Sequence, residues 1–190
     1  MIKIGILGAI GSGKSFVAKN FGYPVFNADI EVGKLYKKER KTFNKLKKVL
    51  PKYIRSFPIN KSEICDAILA NNSNLKKIIT IVHLEIRKKM NIFLKKNINQ
   101  KILILDIPLL LENKINNKGD ILVFVQSKKV DIFKRLKKRK NFNIKLYKKF
   151  KNIQLSLDYK KKKSHFVIKN NFTKKSIDKS IKNILKDILQ

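Results

Sequence analysis

Residues 8–15 read Gly8-Ala9-Ile10-Gly11-Ser12-Gly13-Lys14-Ser15, and the fold follows from what flanks them. Before them lies the apolar run 2–7, Ile-Lys-Ile-Gly-Ile-Leu, short and β-rich, as a buried strand is. After them Phe16-Val17-Ala18-Lys19-Asn20-Phe21 continues as a helix. Strand, G-x-x-x-x-G-K-S and helix in that order predict a phosphate-binding loop. The glycines let backbone N–H groups turn inward around a β-phosphate, Lys14 reaches the β- and γ-oxygens, and Ser15 offers its hydroxyl to Mg²⁺. All eight residues are therefore expected against ATP, and a glycine turn that binds nothing is disfavoured by Lys14 and Ser15 standing in register.

Outward from the loop, 23–29 (Tyr-Pro-Val-Phe-Asn-Ala-Asp) predicts a turn and a second short strand, and the apolar runs 102–106, 121–125 and 166–168 predict three more. Five strands separated by helical stretches imply a parallel sheet covered on both faces. Between them the pattern changes. Leu35, Phe43, Leu46, Val49 and Leu50 are spaced as one helix face, Pro51 and Pro58 bracket a loop, and Leu75, Ile78, Ile79, Val82, Ile86, Met90 and Phe93 make a second stripe. The expectation is a three-layer α/β unit with its core at 1–29 and 101–190, a helical insertion at 30–100, and a basic helical lid at 132–163.

The chain has 190 residues, enough for one domain with a full core. Its formal net charge of +33 points at first to polyanions. Only five of the 46 basic residues are arginine, however (Arg40, Arg55, Arg87, Arg135 and Arg139), and the lysine excess accompanies heavy use of Asn and Ile throughout. That is the mark of a biased genome composition, and no stacking-aromatic signature accompanies it, so no specific nucleic acid is expected. A single cysteine, Cys65, excludes an intramolecular disulfide and fits a reducing cytoplasm, where the protein is expected to work. No eighteen apolar residues occur in succession and no basic stretch precedes the first apolar run, so neither membrane nor export is expected.

Three segments together resemble the dephospho-coenzyme A kinase family in identity, order and spacing: residues 8–15, then Val25-Phe26-Asn27-Ala28-Asp29, then Asp106-Ile107-Pro108-Leu109-Leu110-Leu111-Glu112. The resemblance covers nearly the whole chain. His83-Leu84-Glu85-Ile86 stands where that family has an H-P-x-I helix start, Arg135 and Arg139 where it has lid arginines, and Gln154 and 167–171 where it has a late glutamine and the last strand. It implies transfer of a phosphoryl group from ATP, with Mg²⁺, to the ribose 3′-hydroxyl of dephospho-CoA, by a protein expected to be monomeric. The family differs here at several points. Leu7 and Ala9 replace a common Thr and Gly, Asn27 replaces the first acid of a D-A-D pair, Leu84 replaces a Pro, Lys160 stands where an Arg is expected, and His165 and Lys169 replace acids.

The resemblance implies that Asp29 is the catalytic base, with Lys14 and Arg139 acting on the transferred phosphoryl group. A carboxylate just past strand two suits a kinase of small acceptors, and an Asp capping a helix that begins near Ile30 is the alternative. Asp106 ends a strand, where a second carboxylate supports Mg²⁺ together with Ser15 or else holds a turn. Arg135 and Arg139, four apart, would share a helix face as two guanidinium forks, Arg135 near the nucleotide, or stand as solvated charges. His83 contacts the acceptor or caps a helix, and Pro108 and Leu109 give the acceptor an apolar edge. A nucleoside monophosphate or shikimate kinase shares the loop but not the 25–29 and 106–110 segments.

Overall fold

The computed structural model describes residues 1–140 and 142–190, in two compact units, Met1–Asn27 with Asn97–Gln190 and Ala28–Lys96. Its strands are β1 (Ile2–Gly8), β2 (Val25–Asn27), β3 (Ile102–Asp106), β4 (Ile121–Gln126) and β5 (Phe166–Lys169). Its helices are α1 (Lys14–Asn20), α2 (Ala28–Lys38), α3 (Arg40–Val49), α4 (Lys61–Ala70), α5 (Asn72–Lys96), α6 (Lys129–Lys137), α7 (Ile144–Asn152), α8 (Leu157–Lys162) and α9 (Lys174–Leu189). No described helix is long and apolar enough to cross a membrane.

The first unit is a five-stranded parallel sheet in the order β2-β3-β1-β4-β5. Strands buried on both faces read as unbroken apolar runs, and every residue of β3 is buried. Alternation sorts them. Ile4, Ile6, Ile102, Ile104, Val123, Val125 and Ile168 face α1 and α9, where Val17, Ala18, Phe21, Ile177, Ile181 and Ile184 complete a core. Each such isoleucine or valine contributes roughly 1.5–3 kcal/mol by leaving water. On the other face α8 packs on β1, and Leu110 and Leu122 meet over Gly5. Helices on both faces make the three layers. The chain leaves β1 toward β2 on one side, while the connections after β3 and β4 run to the other, so a crevice opens at the carboxyl end of β1. The phosphate loop sits at that end.

The 132–163 stretch is not continuously helical. It holds the end of α6, then α7 and α8 as separate helices, and Asn141 within it lies outside the described residues. Asn143 accepts from the N–H groups of Lys145 and Leu146 and so starts α7 as a new helix.

In the second unit α5, 25 residues long, packs against α2, α3 and α4. Leu75, Ile78, Val82 and Ile86 are its buried stripe, as spaced in the sequence. The other expected face is corrected in two respects. Leu35 belongs to α2 and Phe43 and Leu46 to α3, and Val49 is exposed, because the chain breaks at Glu39 and restarts. Cys65 lies half-buried on α4, where burial first, and then the Asp66 carboxylate, push its thiol up and keep it from ionising.

Glu85, buried on α5, accepts from Lys45 at 2.8 Å and from Lys88 at 3.2 Å. The Lys45 hydrogen bond foremost, aided by Lys88, holds its carboxyl below the usual carboxylate range against the opposing effect of burial. A carboxyl depressed on folding contributes stability that is present above its unfolded pKa, about 4.3, and lost as pH falls through the lower folded value. Urea midpoints measured from pH 6 downward are therefore expected to fall below about pH 4.3, and Glu85→Gln to flatten that part of the profile; a slope identical in both proteins would refute the assignment.

Candidate active site

The loop after β1 depends on backbone that side chains rarely adopt. Gly8, Gly11 and Gly13 have φ of 146°, 85° and 89°. Gly13 also lacks room, since a Cβ there would fall on the Asn170 amide nitrogen and 3.2 Å from the Phe172 ring. α6 lays Ile132 and Leu136 against Gly11. The carbonyl of Ser12 accepts from Ser127 Oγ and from Asn170 Nδ2, both at 2.9 Å. Two donors, from just past the ends of β4 and β5, thus hold this carbonyl in the protein, while the Ser12 N–H donates to the Ala9 carbonyl at 3.1 Å. Asn170 is itself fixed, its Oδ1 accepting the Phe172 N–H at 2.8 Å. Ser12 is fully buried, and its Oγ has no hydrogen-bond partner among the described residues. Lys14 Nζ donates to the carbonyls of Ala9 at 2.8 Å and Gly8 at 3.3 Å, so the ammonium is folded over the loop. A glycine cradle with an ammonium above it suits a polyphosphate.

Asp106 ends β3 and is 3% exposed. Its Oδ2 accepts from Asn27 Nδ2 at 2.5 Å, across the β2–β3 register that pairs the two residues. Here an amide stands where the resemblance implies an acid. It supplies a donor that a carboxylate lacks, and it spares Asp106 a neighbouring negative charge. No group of three or more His, Cys, Asp or Glu that could hold a metal occurs among the described residues. The available donors are the Asp106 carboxylate and the exposed Ser15 hydroxyl in the first turn of α1. Both are hard oxygens, which fit Mg²⁺ when phosphate oxygens and water supply the remaining ligands.

Three expectations about individual residues are corrected. Asp29 does not cap a helix beginning near Ile30, because α2 already starts at Ala28; Asp29 is exposed in its first turn, where negative charge is favoured by the helix dipole. His83 neither starts nor caps a helix. It lies half-buried inside α5, which runs on without a break because Leu84, unlike a proline, keeps its N–H. Arg135 and Arg139 do not share a helix face. Arg135 is in the last turn of α6, its guanidinium 4.2 Å from the centroid of the Phe172 ring. Arg139 lies beyond the helix, its N–H donating to the Leu136 carbonyl at 3.1 Å in a tightened closing turn. Pro108 and Leu109 are half-buried in the turns after β3, between the buried Ile107 and Leu110.

The first unit thus gathers the loop, Asn27, Asp106, Ser127, Asn170 and the Arg135–Phe172 pair, while Asp29 and His83 belong to the second. Sequence reasoning passed over Ser127, Asn170 and Phe172 as contributors. Polar residues just past the carboxyl ends of β4 and β5 were the available signal, since parallel sheets build their sites there.

Comparison with known proteins gives one family. A profile described as dephospho-CoA kinase matches residues 2–176. The dephospho-CoA kinase of Wolbachia pipientis wMel is 33% identical over 187 residues, covering 96% of this chain and 95% of that one. That of Rickettsia conorii is 31% identical over 191 residues, covering 99% and 98%. Among solved structures, a Thermus thermophilus protein superposes with a TM-score of 0.79 at 22% identity, covering 98% of this chain and 97% of that one. The dephospho-CoA kinase of Campylobacter jejuni gives 0.63 at 18% identity, covering 98% and 96%. These two structures establish the likeness of fold.

Proposed function

Because the chain belongs to the dephospho-CoA kinase family and so phosphorylates dephospho-CoA with ATP in the synthesis of coenzyme A, we propose how its own residues divide that work. The observation that carries the reading is the phosphate loop, with the Ser12 carbonyl held away by Ser127 and Asn170 and Lys14 folded over it. The residues of 8–15 bind the ATP phosphates, and Lys14 exchanges its two carbonyl partners for β- and γ-oxygens, a stronger charge-assisted contact. Ser15 and Asp106 would hold Mg²⁺, with the Asn27 amide keeping the Asp106 carboxylate turned. Bound there, Mg²⁺ supplies neutralisation of charge on the β- and γ-phosphate oxygens.

Asp29 accepts a hydrogen bond from the ribose 3′-hydroxyl of dephospho-CoA. It takes that proton as the oxygen forms its bond to the γ-phosphorus and the bond to the bridging oxygen of ADP breaks. Residues 30–100 receive the acceptor, with His83 contacting it and Pro108 and Leu109 lending it an apolar edge. Residues 132–163 form the lid that excludes water, Arg139 meeting the migrating phosphoryl group and Arg135 the nucleotide. The protein works as a cytoplasmic monomer on these two small molecules.

The two arginines provide the test. Arg139→Ala is expected to lower kcat by about 10²-fold with little change in the KM for ATP, the mark of a contact made in the transition state. Arg135→Ala is expected to raise the KM for ATP and leave kcat nearly intact. A reversed pattern would exchange their roles, and two variants with wild-type kinetics would remove both from the site.

A further inference from the structure

The run Lys160-Lys161-Lys162-Lys163 looks like a solvated basic patch, yet the side chain of Lys160 is 1% exposed. Its Nζ lies 2.6 Å from Oε1 of Glu112, whose side chain is 9% exposed. The same oxygen accepts the Leu155 N–H at 3.0 Å. One buried carboxylate, six residues beyond Asp106, therefore holds both the turn after α7 and the helix α8.

What lies on either side of this clasp differs. α8 is tied at both ends: Ser156 caps its start by accepting the Tyr159 N–H, the Ser164 hydroxyl donates to the Lys160 carbonyl, and His165 exchanges hydrogen bonds with both backbone groups of Leu122. α7 has no buried residue at all. The boundary between tethered and loosely packed chain thus falls at the turn that Glu112 grips.

The pairing is poorly explained by stability alone. A buried ion pair roughly offsets its own desolvation cost and is often matched by apolar residues of equal volume. This one also leaves Glu112 Oε2 buried without a partner among the described residues. What such a pair supplies is register, a fixed distance between two chain segments that apolar side chains, being non-directional, do not set.

We propose that Glu112 and Lys160 are positioning residues that fix the C-terminal end of α7 to the segment carrying Asp106, so that α7 closes in register over the phosphates and transfer outruns hydrolysis. This rests on the reading of 132–163 as a lid. The role is to hold geometry; neither residue touches substrate.

The test uses Lys160→Met, Lys160→Arg and the double variant Glu112→Leu/Lys160→Met in the full chain. The double variant removes the lone buried carboxylate that could unfold Lys160→Met, and so separates folding from register. The readout is the ratio of ADP released to coenzyme A formed, with ATP and dephospho-CoA, below each variant's melting transition. Lys160→Met and the double variant are expected to raise that ratio about five-fold or more, the double variant doing so with near wild-type melting. Lys160→Arg, whose fork can serve both Glu112 oxygens, is expected to keep the wild-type ratio. Amide hydrogen exchange, read without substrates, is expected to quicken across 153–163 in the first two variants with the sheet unchanged. An unaltered ratio in a folded double variant, or unaltered exchange across 153–163, would overturn the clasp. Wild-type protein making no coenzyme A would instead strike at the kinase reading, and the exchange measurement would still decide whether Glu112 holds the end of α7.

Discussion

Asp29→Asn is expected to lower kcat for coenzyme A formation by about 10²–10⁴-fold while the chain folds and binds ATP as before. The amide has the shape of the carboxylate and keeps an oxygen that accepts a hydrogen bond from the 3′-hydroxyl, so acceptor binding survives. It has no capacity for the proton that leaves when the oxygen attacks phosphorus. Asp29 is exposed in the first turn of α2 and the amide keeps its size and shape, so melting is expected to shift little. The measurement is acceptor-dependent ADP release coupled to coenzyme A detection, beside calorimetric ATP titration of both proteins. Turnover within three-fold of wild type would deny Asp29 the role of base. Lost turnover together with lost ATP binding would mean that the substitution had damaged the site as a whole.

Lys14→Met is expected to lower kcat/KM for ATP by about 10²–10³-fold. The methionine stem follows the lysine's path, and what disappears is the ammonium, which in the protein alone lies on the Ala9 and Gly8 carbonyls. Those carbonyls are left to water, a modest cost, so the loop is expected to keep its form under the Ser127 and Asn170 hydrogen bonds to Ser12. Lys14→Arg is expected to rescue little, since a planar fork does not fit where a compact point charge with three rotatable donors reaches two phosphates. Methionine and arginine variants with near wild-type kinetics would show that backbone N–H groups alone hold the phosphates.

Much of the core was legible because its signals are local. Five apolar runs became five strands within one or two residues; β3 and β4, buried on both faces, have no polar side to interrupt them. The helix containing Arg135 and Arg139 was misread because a spacing of four says nothing about where a helix stops. Asn143, a capping residue ahead of Ile144, was the overlooked sign that a new helix begins there. His83 was misplaced for the opposite reason: a helix start was carried over from a resemblance whose proline this chain lacks.

The sequence by itself determined the phosphate loop, because eight contiguous residues carry both its geometry and its charge, and it determined the family through three such segments in order. Tertiary structure alone decided which distant groups meet: Asn27 with Asp106, 79 residues apart, Asn170 with Ser12, 158 apart, and Lys160, alone in a run of four lysines, with Glu112. Lysines in a run are chemically identical, and only the packing of α8 on β1 turns one of them inward, where a carboxylate has to receive it.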